Sequence, residues 1–241
     1  MKNEKKSPPK SLKLKIKLLL KQVFDSKKYQ IPCNICGKNI FFRGPNSRLS
    51  LTSQYPWCLN CLSLERHRGL RILWEKFPKD LLKSMTVLQF SEEPILDAEW
   101  FNNFIVSVYG GSNSLDVQNI DYKDGVFDIV MCNQVIEHVP NDKKAIKELL
   151  RVIKKDGFVQ MSVPYPMQLV KTIDWGYPKE SDHGHYRNYG RDDINILLDE
   201  VAGKGCWSEV IVTDPVTIAQ DYVYILCHSK KVLVSVLSQF K

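Results

Sequence analysis

The chain has 241 residues, 44% of them hydrophobic, which is enough for one medium-sized domain and a small module. Its formal charge is +7, but residues 1–30 alone carry +8 and the remaining residues carry −1. A near-neutral body is not typical of a protein that binds a long polyanion. No apolar run reaches the roughly 20 residues that span a membrane, so no transmembrane segment is predicted.

The first 30 residues are predicted to form a basic, partly disordered leader. Within it, residues 11–24 (SLKLKIKLLLKQVF) predict a short amphipathic helix with a basic face. We expect this helix to be solvated. Peripheral contact with a membrane surface or a polyanion is the alternative.

Residues 31–62 are rich in cysteine and predict a small zinc-binding module. Two CxxC pairs are separated by 21 residues, and such pairs direct four thiolates at one tetrahedral ion. Four protein ligands leave no open coordination position, so we expect a structural Zn2+. The predicted ligands are Cys33, Cys36, Cys58 and Cys61. Seven cysteines without a recognisable export signal also favour a reducing, cytoplasmic compartment.

Residues 63–84 predict a connecting helix, because apolar residues recur near helical spacing in SLERHRGLRILWEKF. We expect His67 on the surface of this helix or between domains. From 85 to 230 strands and helices alternate, with one helix predicted over PILDAEWFNN, residues 94–103. This alternation predicts a Rossmann-like α/β domain with a mostly parallel sheet of seven strands, helices on both faces and an antiparallel last strand. Residues 231–241 are expected to form a C-terminal tail.

The stretch VFDIVMCNQVIEHVPNDKKAIKELLRVIKKDGFVQMSVP, residues 126–164, resembles the second half of a class I S-adenosylmethionine-dependent methyltransferase domain of type 11. The resemblance extends over about residues 85–228. It includes DHGHYRNYG, residues 182–190, which is similar to a segment that such enzymes often carry before their next helix. The resemblance implies S-adenosylmethionine as the cofactor, with Asp116 and Val117 beside its adenine.

The front half departs from the family pattern in VLQFSEEP, residues 87–94. Gln89 stands at the position of an acid, Ser91 and Glu93 stand at glycine positions, and Tyr109 lies near the position of the ribose-binding acid. Either the loop binds the same cofactor through its backbone N–H groups, with Glu92 or Glu93 near the ammonium, or its side chains block the ligand. We expect retained binding. The predicted cofactor-binding residues are Phe90, Ser91, Glu92, Glu93, Tyr109, Asp116, Val117, Asn133 and Gln134.

Methyl transfer from a sulfonium requires an aligned acceptor and, for a hydroxyl or an ammonium, a base. His138 follows the fourth strand and is the candidate base, with a structural role as the alternative. Glu137 orients His138 or binds substrate, and His183 lines the acceptor pocket. We disfavour a second metal at Asp182, His183 and His185, because no further acid or histidine lies close in sequence.

Three functions remain open from the sequence. The favoured one is a methyltransferase acting on a small molecule or a sugar. The second is an RNA or protein methyltransferase whose zinc module recognises the macromolecule, although nucleic acid is not the favoured partner. The third is a non-catalytic binding protein whose altered loop has lost the cofactor. The oligomeric state is not predicted.

Overall fold

The structure is a computed structural model and describes residues 25–241. The predicted leader helix at 11–24 lies outside the described residues. Within residues 25–241, every helix is too short or too polar to cross a membrane.

A small hairpin and a larger sheet supply most of the strands, and helices flank the larger sheet. The strands are β1 Phe41–Phe42, β2 Trp57–Cys58, β3 Thr86–Phe90, β4 Asn103–Ser107, β5 Phe127–Asn133, β6 Ile153–Ser162, β7 Ile173–Lys179, β8 His185–Asn188, β9 Trp207–Thr213 and β10 Gln220–Cys227. The helices are α1 Glu65–Lys76, α2 Lys79–Leu82, α3 Asp142–Val152, α4 Arg191–Val201 and α5 Lys230–Gln239.

The main sheet has the order β4-β3-β5-β6-β10-β9. Strands β3 to β6 pair in parallel, and β10 runs antiparallel to both β6 and β9. This confirms the α/β class, the mainly parallel sheet and the antiparallel last strands. The sheet has six strands among the described residues, not the predicted seven. The count differs because the chain between β4 and β5 runs as turns and one isolated bridge, Asp116 to Asn119.

Both faces of the sheet are covered, as the near-continuous apolar runs of its central strands require. Neighbouring residues such as Ile129 and Val130 belong to opposite buried clusters. Helices α3 and α4 contribute to one cluster, and α1 and α5 contribute to the other. Residues 231–241, expected to be a tail, therefore largely form a helix that is part of the core. The Ser229 hydroxyl caps this helix by accepting a hydrogen bond from the Val232 N–H at 3.3 Å.

The helix predicted over residues 94–103 is not formed. This segment contains only a short 3-10 turn, Ala98–Trp100. Arg71 of helix α1 donates to the carbonyl of Ile95 at 3.2 Å and pairs with Asp97 at 3.0 Å. The Arg71 guanidinium also lies 4.3 Å from the centroid of the Trp100 ring. The apolar residues that suggest a helix are instead buried in the same cluster as residues of α1 and the sheet.

Arg68 and Asp214 form a fully buried ion pair that holds the cysteine module, residues 31–62, on the larger domain. Arg68 Nε and Nη2 donate to Asp214 Oδ1 and Oδ2 at 2.8 and 2.7 Å, and both side chains are 0% exposed. Arg68 Nη1 donates to the carbonyls of Pro56 and Ser63 at 2.8 and 3.1 Å. The guanidinium lies 5.1 Å from the centroid of Phe41. One side chain of α1 therefore joins the module to the turn after β9.

The Asp214→Asn substitution should lower the free energy of unfolding by roughly 3 kcal/mol or more, because it leaves a buried guanidinium without its counter-charge. Urea denaturation measures this. The matched control is Lys143→Met, which removes an exposed pair with Glu200 (N–O distance 2.7 Å) and should cost about 1 kcal/mol or less. Equal effects of the two substitutions would contradict the role given to Arg68 and Asp214.

Candidate active site

A cavity of about 850 Å3 lies at the carboxyl ends of β3, β4 and β5. In open α/β sheets this edge is where ligands bind, and the volume suits a cofactor-sized molecule. We call this the cofactor cavity. Six of the predicted cofactor-binding residues line it: Phe90, Ser91, Tyr109, Asp116, Val117 and Gln134. Glu92, Glu93 and Asn133 are not among its lining residues.

The loop after β3 keeps the backbone shape of a glycine turn without a glycine. Ser91 has a φ of 69°, in the left-handed region that glycine adopts at least cost. Its N–H donates to the carbonyl of Ser107 at 2.8 Å, and Gln89 Nε2 donates to the Ser91 carbonyl at 2.9 Å. The first bond ties the end of β3 to the end of β4, and the second, local to β3, holds the turn at Ser91 in its strained conformation.

Glu93, expected near the cofactor ammonium, is turned toward helix α1 and β5. Its Oε2 accepts from Asn133 Nδ2 at 2.9 Å, and its Oε1 lies 3.3 Å from His67 Nε2 and 3.9 Å from Arg66 Nε. His67 Nδ1 accepts from the Leu64 N–H at 3.1 Å, so this imidazole joins the start of α1 to the loop. Glu93 therefore anchors the loop, and Glu92 is exposed to solvent.

Asn133 belongs to the same buried network and does not reach the cofactor cavity. Its Oδ1 accepts from Gln160 Nε2 at 2.7 Å and from Ser162 Oγ at 3.0 Å. At the other end of the cavity, Asp116 Oδ1 accepts from the Gln118 N–H at 2.8 Å and shapes the turn before Val117. Tyr109 stands at the rim and is 98% exposed.

A second cavity of about 440 Å3 lies between the cysteine module and the larger domain. The module contributes Arg48 and Leu49, helix α1 contributes Arg66, and β10 contributes Asp221. We call this the acceptor cavity. Gln134 and His138 line both cavities, so the two meet at the end of β5.

The predicted catalytic residues gather along the acceptor cavity. Glu137, His138 and His183 all line it, together with His185. Glu137 is fully buried, and burial raises the pKa of its carboxyl to about 8. Burial also lowers the pKa of His138 below its ordinary value, so its imidazole is neutral near pH 7.

Residues 182–190 have two roles: some of their side chains line the two cavities, and others hold neighbouring loops in place. His183 and His185 line the acceptor cavity, and Tyr186 lines the cofactor cavity. Arg187 has a supporting role, because its Nη1 and Nη2 donate to the carbonyls of Val139 and Pro140 at 3.0 Å each. This clamp fixes the loop that carries His138.

Asp221 is a site residue that the sequence analysis did not identify. It lies near the start of β10 and lines the acceptor cavity. Burial raises the pKa of its carboxyl to about 7, which suits a group that exchanges protons near neutral pH. The only signal in the sequence is an acid beside the apolar run YVYILC, which equally fits an exposed strand end.

The four predicted zinc ligands come together at the base of the β1–β2 hairpin. The Sγ atoms of Cys33, Cys36, Cys58 and Cys61 all lie within 4.8 Å of one another. The Cys33–Cys61 and Cys36–Cys58 Sγ distances are 3.7 and 3.6 Å. These distances are too long for disulfides. They match the edge of about 3.8 Å that follows from four Zn–S bonds of about 2.3 Å in a tetrahedron.

Residues 80–161 match a family model described as a methyltransferase domain. The match confirms the resemblance to a methyltransferase domain predicted from the sequence. No curated protein matches the chain.

Two solved structures are similar to the chain at low sequence identity. One is an S-adenosylmethionine-dependent methyltransferase from Thermotoga maritima, at 16% identity and a TM-score of 0.42, over 67% of this chain and 89% of that one. Another is the 1,6-didemethyltoxoflavin-N1-methyltransferase of Burkholderia thailandensis, bound to 1,6-didemethyltoxoflavin and S-adenosylhomocysteine. It has 14% identity and a TM-score of 0.42, over 66% and 77% of the two chains.

The Asp221→Asn substitution should make the free energy of unfolding depend less on pH. A carboxyl whose folded pKa is about 7 keeps its proton between about pH 4 and pH 7, where the unfolded chain loses it. The wild-type chain therefore loses stability as pH rises through this window, by up to about 1.4 kcal/mol per pH unit. Relative to wild type, the variant should gain stability from about pH 4 to about pH 7 and then level off.

Urea denaturation across this pH range provides the measurement. The control is Asp121→Asn, which changes an exposed aspartate and should leave the pH dependence as it is. A stability difference for Asp221→Asn that stays flat from pH 4 to pH 7 would contradict the raised pKa.

Proposed function

We propose that this protein is an S-adenosylmethionine-dependent methyltransferase that acts on a small molecule or a sugar. The observation that carries the proposal is the meeting of two cavities at Gln134 and His138. One cavity lies at the carboxyl edge of the sheet, beside strands of the stretch that matches the methyltransferase domain family. A cofactor in one cavity can then present its methyl group to an acceptor in the other.

The adenosine end of the cofactor would lie toward Tyr109, Asp116 and Val117, and the sulfonium toward Gln134 and His138. Bound S-adenosylmethionine supplies an electrophilic methyl group for an in-line displacement. Glu93 supports binding indirectly, because its bonds to Asn133 and its contact with His67 hold the loop that forms the cavity wall. This role replaces the direct contact with the ammonium that the sequence suggests.

The acceptor cavity supports a compact polar acceptor. Its volume of about 440 Å3 lies within the range of small-molecule sites. Its ionisable lining is mixed, with Arg48 and Arg66 on one side and three carboxyl groups, those of Glu65, Glu137 and Asp221, on the other. A site for an RNA backbone would carry an excess of positive charge. Asp221, with a pKa of about 7, is suited to receive the proton of a hydroxyl or an ammonium acceptor.

The second candidate is a non-catalytic binding protein. Two observations favour it: Glu93 is committed to anchoring the loop, and the Ser91–Ser107 bond draws the strand tips together. Titration with the cofactor distinguishes the two functions directly.

Isothermal titration calorimetry with S-adenosylhomocysteine should give one site per chain. Asp116→Asn should weaken binding by about tenfold, because it removes a charged acceptor worth roughly 1.5 kcal/mol from the adenine end. Asp121→Asn is the charge-matched control and should bind as wild type does. No heat at millimolar ligand would overturn the enzyme and support the non-catalytic candidate.

We also propose that the module binds one structural zinc ion through Cys33, Cys36, Cys58 and Cys61. The closed set of four thiolates supports this, since it leaves no position for substrate. The zinc would hold the hairpin that carries Arg48 and Leu49 to the acceptor cavity.

The Cys58→Ser substitution should lower the zinc content well below one ion per chain and destabilise the module. Elemental analysis after purification without chelator measures this. Cys206→Ser, at a cysteine outside the cluster, should keep a full zinc content. Zinc-free wild-type protein would refute the proposal.

A further inference from the structure

Three side chains beside the acceptor cavity form a group that is separate from the four cysteines. Glu137, His138 and His185 each offer one ligand atom, and these atoms lie within 4.8 Å of one another. The first two come from the 3-10 turn Ile136–His138 after β5, and the third comes from β8. All three line the acceptor cavity, and His138 also lines the cofactor cavity.

Glu137 is the residue in this group that most needs a partner. Its side chain is fully buried, and neither carboxylate oxygen has a hydrogen-bond partner among residues 25–241. A buried carboxyl group whose oxygens lack hydrogen bonds is unfavourable in either protonation state, and more so when it is ionised. A cation bound at the carboxylate oxygens would remove this penalty.

His185 is oriented so that one ring nitrogen is left to accept a ligand. Asn188 Nδ2 donates to Asp182 Oδ1 at 3.1 Å, so the Asn188 Oδ1 atom faces His185 Nδ1 at 2.8 Å and accepts its proton. The lone pair of His185 then lies on Nε2. Metal-binding histidines are fixed in this way by a hydrogen bond from their second nitrogen.

The two imidazoles stand close to each other and at a wide angle. The ring centroids of His138 and His185 are 4.7 Å apart, and their planes meet at 84°. His183 is farther out, with a ring centroid 5.8 Å from that of His185, and Asp182 is bonded to Asn188. The structure therefore brings together a different set from the Asp182, His183 and His185 group considered from the sequence.

We propose that Glu137, His138 and His185 bind a divalent transition-metal ion. Two imidazoles and one carboxylate suit Mn2+, Fe2+ or Zn2+, and three protein ligands leave coordination positions open. The cavity in which they lie is open to solvent and reaches Asp221 and Tyr165.

The role of the ion rests on the proposed function, whereas its binding does not. An ion at this position would bind an oxygen of the acceptor and lower its pKa. The acceptor oxygen would release its proton to Asp221 or to water and form a bond to the methyl carbon. The bond from that carbon to sulfur would break, and its electron pair would stay on the sulfur, leaving a thioether. This narrows the acceptor class to hydroxyl- or carboxylate-bearing molecules.

Mn2+ is the probe for the test, because it prefers nitrogen and oxygen ligands to the four thiolates. Titration of the full zinc-loaded chain, followed by the electron paramagnetic resonance signal of free Mn2+, should reveal one site. Glu137→Gln, which keeps the shape of the side chain, and His138→Gln, at an exposed residue, should each weaken binding by at least about tenfold. His228→Gln changes an exposed histidine elsewhere and should bind as wild type does.

Retained zinc content in each variant verifies that the chain is folded. If the zinc-loaded chain binds no Mn2+ beyond the ion held by the cysteine cluster, the proposal is overturned. It is also overturned if wild type and Glu137→Gln bind Mn2+ with equal affinity, or if His183→Gln loses Mn2+ binding while Glu137→Gln and His138→Gln keep it. Calorimetry with S-adenosylhomocysteine on the zinc-loaded chain without added Mn2+ separates the two proposals, because cofactor binding should appear there even if the second metal site is wrong.

Discussion

The buried Arg68–Asp214 pair is the interaction on which the rest of the site depends. It joins helix α1 to the turn after β9 and also binds the carbonyls of Pro56 and Ser63. Asp214 is further satisfied by the N–H and hydroxyl of Thr217, at 3.0 and 2.6 Å. A buried ion pair of this kind is stable only when its remaining donors and acceptors are also hydrogen-bonded. Because those of Arg68 and Asp214 are, the cysteine module is held against the carboxyl edge of the sheet and forms a wall of the acceptor cavity.

The same helix accounts for the altered loop after β3. In place of a glycine-rich turn followed by a helix, the chain has a short crossover that packs on α1. Glu93 occupies a glycine position and contacts His67, while Arg71 of α1 binds the crossover itself. Side chains that would obstruct a close backbone approach thus serve as anchors, and the cavity keeps its place at the end of the strands. The cofactor cavity and the acceptor cavity are therefore both set by contacts of one helix.

Much of the fold is local and could be predicted. The apolar strands and the CxxC pairs depend on short patterns of this kind. The helix predicted over residues 94–103 is not formed, because the apolar residues in this segment are buried against α1 without a helical conformation. Contacts between residues far apart in the chain leave no short sequence pattern that would predict them. Arg68 lies 146 residues from Asp214, and Glu137 meets His185 through the packing of β8 on the turn Ile136–His138.

A crystal structure of the full chain with S-adenosylhomocysteine tests the arrangement of the two cavities most directly. We expect the adenine beside Asp116 and Val117, and the sulfur where the two cavities meet, facing His138 and the acceptor cavity. The sulfur would then point at the space into which an acceptor fits. An empty cavity at millimolar ligand, or a sulfur directed away from the acceptor cavity, would contradict the account.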